Sequence, residues 1–177
     1  MISDSVLEVI YKLRRCSISV YEYDLNSYDL NSNDYPDDIY LELVDNFYKV
    51  KEYLKVVKCA FKLSFLYYCG CAIDTLWEML FDSKMKNYLI VDNNAVVIGT
   101  VSLAKSVING NANSFVLSNF AISLKLRGKK LSYGAMNSIL KFAKVSGYRY
   151  IRLKVKKVNV PALKVYSALG FIEVREM

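Results

Sequence analysis

The sequence predicts a layered α/β domain, and three observations carry that expectation. The second half of the chain alternates strand-like and helix-like periodicity with short connections, the pattern of packed α and β layers. A length of 177 residues, 54% of them hydrophobic, is enough for one well-buried core. Only 2 Pro and 7 Gly occur, which excludes a disordered or fibrous chain. A single domain over residues 1–177 is therefore expected.

The elements follow in order. Residues 5–15 set Val6, Ile10 and Leu13 at helical spacing, and SISVYEYDL then alternates like a strand. The tandem repeat YDLNSYDLNS runs into NDYPDD, a loop composition. Asp29-x-Asn31-x-Asn33 starts like a calcium loop. However, Asp34 stands at the turn-glycine position and Tyr40 at the closing Glu, so calcium is not expected. Residues 37–58 read as a helix with Asp37 and Asp38 at its N-terminal end. Residues 59–69 fit either a strand or a buried helix, and IDTLWEMLFDSK reads as a short amphipathic helix. NYLIVDNNAVVIGTVSL reads as a hairpin turning at Asp92-Asn93-Asn94. SFVLSNFAIS is a strand, and residues 129–146 form a helix with Leu131, Ala135, Ile139 and Phe142 on one face, closed by Gly147. YRYIRLKV turns Ile151, Leu153 and Val155 inward. Pro161 opens a helix that Gly170 ends, and FIEV is the last strand.

Composition narrows the chemistry. There is no His, which removes Ser-His-Asp triads, histidine metal sites and the commonest general base. Cys69-Gly-Cys71 is not zinc spacing, so no metal is expected. Cys16, Cys59, Cys69 and Cys71 are read as reduced thiols, and MISDSVLEVIYKLRR lacks the pattern of a secretory signal. The expected location is intracellular, in the cytoplasm or the nucleus. The longest apolar run, VVKCAFKLSFLYYCGCAI, is broken by Lys58 and Lys62 and falls short of the ~18–20 apolar residues a spanning helix needs.

Net charge is +7, unevenly spread: the first 48 residues are acidic, and Asn93 to Ile172 hold 13 Lys and Arg with no Asp or Glu. Such a field attracts an anionic ligand. A nucleic acid, a polyphosphate cofactor and an acidic partner all fit. The basic half has neither an aromatic-rich RNA motif nor a helix-turn-helix signature, so nucleic acid is not the expected partner.

Two stretches carry chemistry. In LRGKKLSYG, a strand ending at Ile122 feeds a tight basic turn into a helix. The free N–H groups and positive dipole end of that helix suit a phosphate, and Gly128 allows close backbone approach. In LKVKKVNVPALKVYSALGF, Asn159 precedes a helix, where it can cap the chain or reach a ligand. Tyr166 lies two turns further along the same face and, taken alone, fits a core tyrosine.

Together, in this order and spacing, the two stretches resemble the GCN5-related N-acetyltransferase superfamily over residues 88–175. The superfamily's cofactor-loop pattern, Q/R-x-x-G-x-G/A, falls on Arg127, Gly128, Lys129, Lys130, Leu131 and Ser132. Its second signature falls without a gap on Leu153, Val155, Asn159, Ala162, Tyr166, Gly170 and Phe171. The resemblance implies a central mixed, largely antiparallel sheet flanked by helices. It implies acetyl-CoA as co-substrate and direct acetyl transfer to a primary amine, either a protein N-terminus, a lysine or a small amine, with no metal. Backbone groups of Phe120, Ala121, Ile122 and Leu124 would pair with the pantetheine arm as an added strand. The amides from Arg127 to Ser132 (Arg127, Gly128, Lys129, Lys130, Leu131, Ser132) would hold the pyrophosphate. Asn159 would touch the pantetheine or acetyl end, and Tyr166 would protonate the leaving thiolate. Residues 1–87 match no pattern and would form the acceptor side. Glu173, a residue of the N-terminal half or water would serve as base.

Three departures are visible. Lys130 replaces the loop's central glycine and must take φ < 0 or accept strain. Ser132 replaces Gly or Ala. The superfamily carries one more strand beyond FIEV, so the sheet edge is incomplete or filled by another segment or subunit. A catalytically inactive relative that binds without transferring is the alternative expectation.

Overall fold

The computed structural model describes residues 18–30, 38–61, 85–108 and 111–174. Its strands are β1 (Ile18–Asp24), β2 (Ile39–Leu43), β3 (Met85–Asp92), β4 (Val97–Ile108), β5 (Asn111–Ile122), β6 (Tyr150–Lys156) and β7 (Ile172–Val174). The helices are α1 (Phe47–Phe61), α2 (Leu131–Val145) and α3 (Val160–Ala168). The strands form one sheet in the order β2-β3-β4-β5-β6-β1-β7. Every pairing is antiparallel except that of β5 with β6, so the sheet is mixed and largely antiparallel, as expected.

Alternation along the strands builds three layers. One sheet face packs Ile90, Val101, Leu103, Phe115, Leu117, Ile151 and Leu153 against Ala135, Met136, Ile139, Leu140 and Ala143 of α2. The opposite face packs Leu89 and Val91 against Val50, Tyr53, Leu54 and Val57 of α1. Gly147 at φ +80 ends α2 with its N–H on Lys144 O while Tyr148 N–H reaches Ala143 O, the paired bonds of a left-handed glycine cap. Gly170 at φ +88 ends α3 the same way.

The expected helix over 37–58 is corrected. Residues Ile39–Leu43 are instead an edge strand on β3, and the helix starts at Phe47. Asn46 explains the break: its side chain accepts from Lys49 N at 3.0 Å and its carbonyl from Val50 N at 3.0 Å, a side-chain cap at a helix start. Asp38 caps no helix and accepts from Asn93 in the β3–β4 turn at 2.7 Å. The last residues of α1, Cys59–Phe61, resolve the ambiguous segment as helix at its start. The rest of that segment, the expected helix at 5–15 and IDTLWEMLFDSK lie outside the described residues. Cys59 is a free, exposed thiol.

The sheet position beside FIEV is filled by another segment. N-terminal strand β1 lies between β6 and β7, antiparallel to both, with Tyr21 opposite Leu153 on one side and Glu173 on the other. The segment that fills the slot comes from the same chain. Arg152 fastens it by donating to Glu22 at 2.5 and 3.0 Å.

Candidate functional site

Strands β5 and β6 run side by side only as far as Leu117 opposite Leu153. Both continue, β5 to Ile122 and β6 to Lys156, so they splay apart. On its other side β5 stays bonded to β4, through Thr100–Ala121 and Gly99–Ile122. The β6-facing edge of residues 118–122 therefore has no strand partner among the described residues, and unpaired strand backbone invites an extended ligand. Gly99 makes the β4–β5 approach possible, since a Cβ there would stand 2.4 Å from the Ala121 carbonyl oxygen.

The splay opens a cleft of about 530 Å³. Of the residues singled out by sequence, Phe120, Ala121, Ile122, Arg127, Gly128, Lys130, Leu131, Ser132, Asn159 and Tyr166 line it. Leu124 and Lys129 do not; both are exposed beside it. The sequence reading missed Ala60 and Phe61, which α1 brings in from the other side of the sheet, and Pro161 and Val165 of α3. A second cavity of 340 Å³ shares Phe61, Phe120, Asn159 and Tyr166 with the first and continues past Asn119 between the strands.

The loop keeps the shape of a glycine turn despite its substitutions. Gly128 has φ +82, and Lys130 sits at φ +59, ψ +10, so of the two options open to it Lys130 takes the strained one. Holding a non-glycine residue there costs about 1–2 kcal/mol. Lys130 is the residue preceding α2 and supplies no side-chain cap. The opening turn of α2 thus presents N–H groups without intrahelical acceptors to the cleft, where an anion is favoured. The Arg127 side chain is otherwise engaged. Its Nε donates to Ile122 O at 3.3 Å and Nη2 to Ala60 O at 3.4 Å, tying the loop to the C-terminal end of α1.

Asn159 does cap α3: its Oδ1 accepts from Ala162 N at 3.4 Å. That leaves its Nδ2 as a donor at the cleft. Tyr166 is buried in the core and also borders both cavities. Its ring lies 5.6 Å from Phe171 and 6.4 Å from Tyr21 of β1. Burial pushes the phenol up to about 12. Its hydroxyl has no hydrogen-bond partner among the described residues. Glu173 lies on β7 outside both cavities. A hydrogen bond from Ser19 at 2.5 Å, with Lys157 alongside, holds it below the usual carboxylate range, which weakens it as a base. Among the described residues no cluster of three metal-binding side chains occurs, and no helix is long and apolar enough to cross a membrane.

Comparison with known proteins adds to this geometry. Residues 56–171 match the family model described as Acetyltransferase (GNAT) family, a match that reaches back into α1. No curated protein matches the chain. Among solved structures, spermidine N-acetyltransferase from Vibrio cholerae, in complex with CoA and spermine, superposes with a TM-score of 0.64 at 16% identity. That match covers 80% of this chain and 85% of that one. A functionally unknown conserved protein from Staphylococcus epidermidis gives 0.67 at 17% identity, and this chain, 98% covered, spans 65% of its length. A GCN5-related N-acetyltransferase from Sphaerobacter thermophilus gives 0.62 at 14% identity, covering 97% of this chain and 54% of that one.

Proposed function

The chain belongs to the acetyltransferase (GNAT) family, and from that premise we propose that it is an acetyl-CoA-dependent N-acetyltransferase acting on a primary amine. The single observation that carries this reading is the cleft between the splayed ends of β5 and β6. Among the described residues one wall is strand backbone without a strand partner, and the first turn of α2 and Tyr166 also line the cleft.

The pyrophosphate of acetyl-CoA lies against the amides of Gly128 to Ser132, with Lys130 adding positive charge. The pantetheine amides pair with the free edge of Phe120 to Ile122, and Asn159 Nδ2 donates to the arm. The thioester then lies beside Tyr166. A neutral amine attacks the carbonyl carbon, the C–S bond breaks as the C–N bond forms, and the sulfur leaves carrying negative charge. Burial, which pushes the phenol up to about 12, keeps Tyr166 protonated while the thiolate forms beside it. Tyr166 therefore acts as a hydrogen-bond donor to sulfur as charge develops. The proton lost by the amine passes to solvent and balances the thiol product. The reading keeps residues 88–175 as the cofactor core, with Ala60 and Phe61 completing its cleft, and gives residues 1–87 a share in the acceptor side, in an intracellular protein of the cytoplasm or the nucleus.

Calorimetric titration of acetyl-CoA at two salt concentrations tests the cofactor half. Saturable one-to-one binding that weakens with salt is expected, and no binding overturns the reading. A screen of free peptide N-termini, lysine peptides and polyamines tests transfer, and binding without turnover would favour an inactive relative. Polyamines belong in the screen because the Vibrio cholerae neighbour is a spermidine N-acetyltransferase.

A further inference from the structure

Strand β5 carries a bulge at the mouth of the second cavity. Thr100 pairs with Ala121 and Ser102 with Ser118, so Asn119 and Phe120 together oppose Val101 alone. Asn119 takes φ +50, a conformation that asparagine tolerates better than most residues. Its own carbonyl accepts from Thr100 Oγ1 at 3.3 Å.

The side chain of Asn119 is held by a buried polar chain that runs through three other elements. Its Nδ2 lies 3.2 Å from Ser102 Oγ and 3.3 Å from Tyr53 Oη. Ser102 donates to Asn87 Oδ1 at 2.6 Å, and Tyr53 and Ser102 are 2.8 Å apart. Tyr53, Asn87 and Ser102 are all buried. Ser102 gives its one hydrogen to Asn87, and the Asn119 NH₂ group donates to the Ser102 and Tyr53 oxygens, which fixes the orientation of the amide. Its Oδ1 has no partner among the described residues, and Asn119 is exposed and lines the second cavity together with Tyr166.

We propose that Asn119 receives the acceptor amine, its Oδ1 accepting a hydrogen bond from the attacking nitrogen while the Tyr53–Ser102–Asn87 chain fixes the amide. The inference rests on the acetyltransferase reading. Asn119 is not a base, because an amide takes no proton at neutral pH; it orients the amine lone pair and leaves the proton to solvent. Asparagine at this position also favours no particular charge on the remainder of the acceptor.

The test uses the full chain, acetyl-CoA and n-propylamine, whose amino group is the one feature it shares with every candidate acceptor. Two variants are measured with the wild type. Asn119→Gly keeps the positive φ and removes the amide, and Tyr53→Phe keeps the ring and removes one of its anchors. The expected result is a five- to tenfold fall in kcat/KM for propylamine in each, the size of one lost hydrogen bond, with acetyl-CoA Kd within twofold of wild type. Propylamine rates within twofold of wild type in both variants overturn the proposal, as does a fall confined to acetyl-CoA binding. Failure of the wild type to bind acetyl-CoA sinks the acetyltransferase reading itself. Binding by a wild type that acetylates no propylamine sinks the placement of the amine at Asn119. Should Asn119→Gly not fold, Tyr53→Phe decides alone.

Discussion

The Arg127 guanidinium bridges two main-chain carbonyls, Ile122 O on β5 and Ala60 O at the end of α1. A residue that pattern alone would assign to the phosphate thus ties the loop before α2 to a helix on the other face of the sheet. Arg127→Lys keeps the charge but loses the planar fork whose Nε and Nη2 meet the two carbonyls. It is expected to lower stability by about 1 kcal/mol and to weaken acetyl-CoA binding several-fold. Wild-type affinity in this variant would mean that Arg127 acts through charge alone. Lys129→Ala serves as the comparison, because Lys129 lies outside the cleft and its loss should change only the salt dependence.

Tyr166→Phe is expected to lower turnover by about ten- to a hundredfold with acetyl-CoA Kd nearly unchanged, since the hydroxyl acts when charge develops on sulfur. Equal turnover would remove Tyr166 from the chemistry.

The raised phenol also makes a pH prediction. A group that titrates near 12 when folded and near 10 when unfolded contributes its full stability below pH 10 and loses it as the pH rises toward 12. Wild type should therefore lose about 2–3 kcal/mol more than Tyr166→Phe between pH 9 and pH 12 in denaturant titrations. Parallel curves would contradict the burial argument. Turnover should rise with pH as the acceptor amine deprotonates, with no falling limb from Tyr166 below about pH 11.

Lys130→Gly relieves the left-handed strain but gives the unfolded chain more freedom, for a net gain on the order of 0.5–1 kcal/mol. The same change removes a cation from the cleft and should raise acetyl-CoA Kd about two- to fivefold. A more stable variant with weaker, less salt-sensitive binding is the expected pair of results. Lower stability would show that the loop does not need a positive φ at this position.

Gly99→Ala puts a methyl group 2.4 Å from the Ala121 carbonyl, on the strand whose opposite edge borders the cleft. Because the obstacle is backbone, the strands must separate. The expected outcome is a loss of about 1–3 kcal/mol together with weakened acetyl-CoA binding. A variant as stable as wild type would mean that the β4–β5 spacing adapts freely.

Local signals made the second half legible. Alternation in YRYIRLKV, the helical stripe of Leu131, Ala135 and Ile139, and the glycine stops at Gly147 and Gly170 are each written within a few residues, and each element stands where its signal put it. The spacing from Arg127 to Tyr166 was legible for the same reason, because a strand-loop-helix-strand-helix run brings those residues to one cleft with short connections. The reading of 37–58 went astray because IYLEL is too short for its period to outweigh the helical pattern that follows. The deciding signal was Asn46, a single capping side chain.

By itself, then, the sequence made legible the layer architecture and the two stretches whose residues, Arg127 to Ser132 and Asn159 to Tyr166, contribute to one cleft. Tertiary structure decided what depends on residues far apart in the chain. It put β1 between β6 and β7, where Tyr21 meets Tyr166 across more than a hundred residues of sequence. It also turned Arg127 onto Ala60 and joined Tyr53, Asn87, Ser102 and Asn119 into one polar chain. Periodicity reports which face of an element is buried. Which partner covers that face, and which buried polar atoms find each other, is settled only when the faces close and every donor must be satisfied.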